Sequence, residues 1–449
     1  MDQSIRMLAE YIHGLRYESL PAQTVHEAKR RIIDTIGCAI GGYDAEPSRI
    51  ARAVAGRYAG TPGARIFGSL TPTSLEHAAF ANGAALRYLD FNDAYLTRSS
   101  GHPSDTLAAV FAVGEATGAS GRDVLTAAAC AYEVFCNFTD VLPREQGWDQ
   151  VLHGVVATAA ASAKLLGLDA AGIAQAISLA IVPNMPLEQT RTGELSMWKG
   201  VAAANASRNG VFAAVLAAAG MQGPGAAIEG RWGLRHAVGA FDWAPFGGAG
   251  GAFRIGRTMI KPFPAVIHAQ SPATVALALR AQVALEEIDT IAIHTYWVAN
   301  RYTDRAAPLW RPGTRETADH SIPYVVAAAL IDGGITEATF DDAHLRDPRL
   351  RELLERTSVH EDTGFSAAYP ERWCCRIEVR TRGGDTRSAA VEQFRGHPDN
   401  PMTEAELESK FRGLAAARLD TAACDAILAK LRDLDNCRNI AGVIDLLRW

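Results

Sequence analysis

Alanine sets the tightest limit on how this chain can fold. Runs such as Ala157-Thr158-Ala159-Ala160-Ala161 and Ala202-Ala203-Ala204 fall inside stretches whose apolar residues recur every three or four positions. Alanine favours the helix more than any other residue, and its lone methyl lets helix axes approach closely. In 25–42, Ala28, Ile32, Ile33, Ile36 and Ile40 form one apolar stripe, with Lys29, Arg30 and Asp34 away from its centre. Segments 74–89, 105–117, 121–138, 154–166, 170–182 and 198–220 read the same way. From residue 1 to about 265 the pattern predicts a compact helical domain whose helices are buried on more than one side.

The pattern changes at Lys261-Pro262-Phe263-Pro264, where two prolines end the preceding segment. Residues 265–282 read as a helix, and the β-branched alternation from Ile288 to Tyr296 reads as a strand. Cys375–Thr381, a Gly383-Gly384 turn and Thr386–Val391 make a hairpin signal. Residues 320–331 and 346–358 read as helices between these strands. Pro401 and Thr403 then supply a break and an N-cap, and the tail to Trp449 is helical again. A chain of 449 residues is too long for one core. The expected fold is mainly α: a large all-helical, discontinuous domain from 1–265 and 399–449, and a smaller α+β lid domain over 266–398.

A net charge of −6 argues against a broad nucleic-acid surface, though a few local cations suffice for a small anion. Seven cysteines at odd count, with no C-x-x-C pair, argue against a disulfide framework or a simple zinc or iron–sulfur site. The start, Met1-Asp2-Gln3-Ser4-Ile5, has no apolar leader. The apolar stretch from His153 to Ile181 is interrupted by Lys164, Gly167, Asp169 and Gly172. These readings point to a cytoplasmic chain with no membrane span.

Five clusters carry chemistry-bearing side chains. Asp90-Phe91-Asn92-Asp93-Ala94-Tyr95 and Gly101-His102-Pro103-Ser104-Asp105 put carboxylates and an imidazole within one loop. That pairing tunes an acid or base near neutral pH, while the plainer reading has Ser104 capping a helix. His153 precedes an alanine-rich helix and reads either as a boundary residue or as a second imidazole. Lys199 and Arg208 share a helical stretch of small residues, as ligand cations or as surface charge. Lys261 sits where two domains should meet, a favoured place for ligands or simply a linker. Arg315-Glu316-Thr317-Ala318-Asp319-His320-Ser321-Ile322-Pro323-Tyr324 offers proton donors, or a helix start capped by Asp319 or Ser321. The glycine-rich Phe246–Gly251 neither follows a strand nor fits G-x-G-x-x-G.

Taken together and in this order, these segments resemble the MmgE/PrpD family, whose members include 2-methylcitrate dehydratase, cis-aconitate decarboxylase and iminodisuccinate epimerase. The matching stretches are Leu89–Asp93, Gly101–Asp105, Trp198-Lys199 through Gly210, Lys261–Pro264 and Glu316–Tyr324. The resemblance implies a homodimer with its site in the cleft between a helical domain and a lid, and no requirement for a metal or cofactor. It implies Asp90, His102, His153, Lys261 and Tyr324 as catalytic residues. Asn92, Asp93, Lys199, Arg208 and His320 would bind substrate. Ala94 stands where the family commonly has threonine. The Asp90–Asp93 form resembles the dehydratase branch, so the expected activity is elimination of water from a small tricarboxylate such as 2-methylcitrate. A decarboxylase, an epimerase or a non-catalytic polycarboxylate-binding protein are the alternatives. In the expected mechanism His102 or His153 removes an α-proton, Asp90 orients it, and Tyr324 or the other histidine protonates the leaving hydroxyl. Cations hold the developing enediolate.

Overall fold

A computed structural model describes residues 1–143 and 147–449. The predicted helices are present as Ala22–Gly41, Leu75–Tyr88, Leu107–Thr117, Gly121–Val141, Val151–Leu165, Ala170–Ile181 and Met197–Ala218. Gln3–Gly14 adds a further one, capped by the Asp2 carboxylate on the Ile5 N–H. Fold class is as the composition suggested, mainly helical with small sheets.

Small residues set the packing. Met197–Ala218 lies against Val151–Leu165 and Leu75–Tyr88. A methyl at Gly210 would meet the Val155 carbonyl oxygen at 2.6 Å, so only glycine permits that approach. Gly121–Val141 is buried along most of its length, as a helix surrounded on all sides must be.

The α+β part holds a four-stranded sheet in the order Thr386–Val391, Cys375–Thr381, Ile288–Thr295, Thr357–Glu361. The hairpin pairs Thr386 with Arg380 through Val391 with Cys375. Residues 346–358 do not form one helix. Pro348–Glu355 ends, and Thr357–Glu361 runs parallel to Ile288–Thr295 as an edge strand. Three β-branched or small residues after Arg356 suit an extended edge better than another turn of helix. Gln270–Arg280 and Ile322–Asp332 pack beside this sheet and share its apolar core.

The tail returns to the first helices. Thr403 caps Glu404–Ala415 in a capping box with Glu406. That helix packs on Ala22–Gly41, and Phe411, Leu428, Leu431 and Ile444 join the same core as Ile32, Ile36 and Ile40. All seven cysteines are free and buried. No described helix is long and apolar enough to cross a membrane.

Candidate active site

The chain enters the site at the end of Leu75–Tyr88. Asp90 follows with φ +50°, a left-handed conformation that aspartate tolerates at a cost of order 1 kcal/mol. This turn aims its carboxylate back at the helix end. There Arg87 Nη1 donates to Asp90 Oδ1 at 2.5 Å. Lys261 Nζ donates to the same oxygen at 2.9 Å and to the Asp90 carbonyl at 2.7 Å. Lys199, in the first turn of Met197–Ala218, lies 3.4 Å from Oδ2. All four side chains are buried.

Two imidazoles flank this carboxylate. His102 Nε2 is 3.9 Å from Oδ1 and His320 Nε2 is 3.5 Å from Oδ2. The His102 Nδ1–H donates to the Asp93 carbonyl at 2.7 Å, which assigns the lone pair to Nε2. His320 bonds through Nδ1 to the Asp319 carboxylate. Asp319 and His320 occupy the joint between Arg315–Ala318 and Ile322–Asp332, whose second helix Ser321 caps.

Arg87, Asp90, His102, Lys199, Lys261 and His320 line a cavity of about 430 Å³. Its wall adds Arg191, Arg301 and His268 to the cations and imidazoles already named, with Glu188 a further acid. Arg191 is fixed by the buried Asp149, Nε to Oδ2 at 2.8 Å. Arg87 Nη2 is buried and has no hydrogen-bond partner among the described residues. A buried, unpartnered guanidinium nitrogen is costly unless a ligand supplies the acceptor.

Burial, reinforced by Arg87 and Lys261, holds the His102 imidazole well below its usual range, so it is neutral at pH 7. His320 is lowered by burial and by Lys199, against the pull of Asp319. Burial brings Lys261 down to about 8 despite Asp90. The Asp90 carboxyl is held well below the usual range against its own burial, by Arg87, Lys199 and Lys261. Behind the wall, burial pushes Asp105 up to about 7, weakening one counter-charge and leaving the cavity cationic. Asp90, Asp319 and His320 do bring three ligand atoms within 4.8 Å of one another. A cation there would have to displace the ammonium and guanidinium groups that hold Asp90.

Of the residues expected from sequence, Asp90, His102, Lys199, Lys261 and His320 meet in this cavity, and five others do not line it. Arg208 is exposed on the opposite side of its helix. It follows Lys199 by nine residues, about two and a half turns, which reverses its direction. His153 is fully buried among Phe135, Phe138 and Trp148, with Thr139 Oγ1 3.3 Å from its Nδ1. Tyr324 faces another cavity, its hydroxyl donating to the Thr339 carbonyl at 2.9 Å. Asn92 donates to Ser104 Oγ and Asp105, and the Asp93 carboxylate accepts the Ser104 N–H. Both brace the His102 loop rather than face the cavity, and Ser104 is part of that brace instead of a cap. Ala94 is buried and pairs through its backbone with Met259. We expect Arg208→Ala to change kcat/KM by less than about twofold, as surface substitutions do. Tyr324→Phe should cost about 1 kcal/mol in unfolding free energy with little loss of rate.

Sequence reasoning missed Arg87, Arg191 and Arg301 as cavity-lining residues. Arg87 had a signal, its i,i+3 spacing from Asp90 at a helix end. Arg191 and Arg301 lie in short 3-10 turns, Glu188–Arg191 and Trp297–Tyr302, too short for a periodicity to phase them.

Comparison with known proteins gives the chain's family. Residues 6–243 match the MmgE/PrpD N-terminal domain, and residues 263–435 match the MmgE/PrpD C-terminal domain. The chain belongs to the MmgE/PrpD family. It is 31% identical to the 2-methylcitrate dehydratase of Escherichia coli strain K12, over 83% of this chain and 80% of that enzyme. It is 28% identical to the human cis-aconitate decarboxylase, over 98% of this chain and 93% of that enzyme. These MmgE/PrpD relatives are lyases, so the family-level reading is a lyase. The C-terminal match runs to residue 435, whereas the packing of Glu404–Ala415 crosses back to the N-terminal helices.

Proposed function

We propose that the protein is a hydro-lyase that eliminates water from a small tricarboxylate of the 2-methylcitrate type. The observation that carries this reading is a cavity in which Arg87, Lys199, Lys261 and Arg191 surround one buried carboxylate, Asp90, beside two neutral imidazoles. Substrate carboxylates are held by the cations of the cavity, Arg87, Lys199 and Arg191, through charge-assisted hydrogen bonds. His102 Nε2 takes the proton α to a carboxylate. The electron pair forms the carbon–carbon double bond, and the neighbouring C–O bond breaks. Lys261 protonates the departing hydroxyl, which leaves as water.

Taking a proton onto His102 next to Arg87 and Lys261 is costly. Release of one from Lys261 in the same step keeps the charge of the cluster constant. The Asp319–His320 pair favours a second assignment, in which His320 is the base and Asp319 stabilises the imidazolium. Exchange of the α-proton with deuterated solvent separates them, since only the variant lacking the true base loses exchange.

The rate depends on neutral His102 and protonated Lys261. It should hold from below pH 6.5, where His102 is already unprotonated, and fall as pH rises through about 8. The residual activity of Lys261→Met should lack that alkaline fall.

Incubation with 2-methylcitrate, citrate, cis-aconitate and iminodisuccinate tests the reading, with alkene absorbance, CO₂ and racemisation as readouts. Alkene from the first two supports dehydration. CO₂ from cis-aconitate favours the decarboxylase reading, which the longer match to the human enzyme supports. Tight binding without product marks a binding protein. The same proposal places a homodimer contact on the exposed strip of Met185, Leu187, Met197 and Trp198, next to cavity residues Glu188 and Arg191. A monomeric mass by light scattering contradicts that contact.

A further inference from the structure

We propose that Lys410, on the tail helix Glu404–Ala415, is a positioning residue for the Asp90–Lys261 pair. The proposal rests on the lyase reading above. Lys410 does not touch the cavity. Its ammonium donates to the carbonyl of Phe91 at 2.8 Å and to the carbonyl of Lys261 at 2.9 Å. The same ammonium forms an ion pair with Asp34 Oδ1 at 2.6 Å, on Ala22–Gly41. The Phe91 ring covers the same ammonium, with its centroid 3.8 Å away. Two of the ammonium's three N–H groups go to these carbonyls, and the charge is balanced by Asp34.

The two carbonyls are not ordinary loop acceptors. One belongs to the residue after Asp90, whose left-handed turn aims the carboxylate. The other belongs to Lys261 itself. One cation therefore ties the two backbone segments whose side chains meet at 2.9 Å across the site. The Asp34 and Lys410 side chains are almost completely buried. A buried pair of this kind gives little net stability over apolar replacements. Its geometry is what distinguishes it: an apolar side chain fills the same volume but bonds to neither carbonyl. The turn at Asp90 is strained, and such turns persist only where surroundings over-determine them.

Lys410→Met alone leaves Asp34 buried and unpaired and can simply unfold the protein. The test therefore uses the full chain with Asp34→Leu and Lys410→Met together, which removes both charges. Three readouts are taken: melting temperature, amide hydrogen exchange by mass spectrometry, and kcat and KM on whichever panel substrate the parent turns over. The expected result is a near-parental melting temperature, with faster exchange confined to peptides covering 88–95 and 258–264. With it, kcat falls about a hundredfold while KM stays within about threefold. Parental exchange in those peptides with parental kcat overturns the proposal. So does faster exchange spread through the helical core with a matching fall in melting temperature, because that is a structural role. If the parent turns over nothing in the panel, the lyase reading fails, and confined versus parental exchange still decides the positioning role.

Discussion

Replacing Lys261 with methionine should lower kcat by about a thousandfold while the protein stays folded. The side chain is completely buried and methionine is close to it in length, so the volume is kept. Its ammonium makes two bonds to Asp90 and sits where charge develops in elimination. Arg87 and Lys199 remain against Asp90, so the carboxylate does not become an unpaired buried charge. The loss should therefore fall on the chemical step, with KM changing by less than about tenfold. Steady-state kinetics alongside a thermal melt check this. A variant with near-parental kcat removes Lys261 from the proton chemistry and with it the charge-constant mechanism.

Asp90→Asn should move binding and turnover in opposite directions. Asparagine tolerates the left-handed backbone and keeps the shape, so the change is the charge alone. Three buried cations lose their common counter-ion, which should lower unfolding free energy by about 3 kcal/mol. The vacated positive field should tighten citrate binding by about tenfold, because substrate carboxylates replace the missing one. Turnover should fall at least about a hundredfold, since His102, Lys199 and Lys261 no longer share an anchor. Calorimetric titration with citrate and chemical denaturation measure the two halves. Weaker citrate binding together with lost turnover would falsify the view of Asp90 as a counter-ion, and would place it among the groups that bind substrate directly.

How far the sequence reached can be judged residue by residue. Helix positions came through because alanine-rich periodicity is local. Lys261 was found because prolines mark its segment. Arg208 lies off the cavity for a reason the sequence did contain: its phase relative to Lys199 was available from residue spacing alone. His153 lies off the cavity for a different reason. Its aromatic surroundings come from the far end of Gly121–Val141 and from Trp148, contacts that no local pattern reports. The strand Thr357–Glu361 was hidden because a five-residue edge gives too few alternations to outweigh the helix before it. The family resemblance supplied the order of the motifs. The structure supplied what no motif contains, namely Arg87, Arg191 and the Asp319–His320 geometry.

The packing of Glu404–Ala415 on Ala22–Gly41 has a consequence for biosynthesis. On a ribosome the earlier helix emerges first, and its partner follows on the order of tens of seconds later at ordinary elongation rates. Throughout that interval Ile32, Ile36 and Ile40 lack part of the apolar surface that eventually covers them. The nascent chain thus carries an adhesive face that only a much later segment can close, and its folding yield should depend on chaperones that shield that face until that segment has emerged.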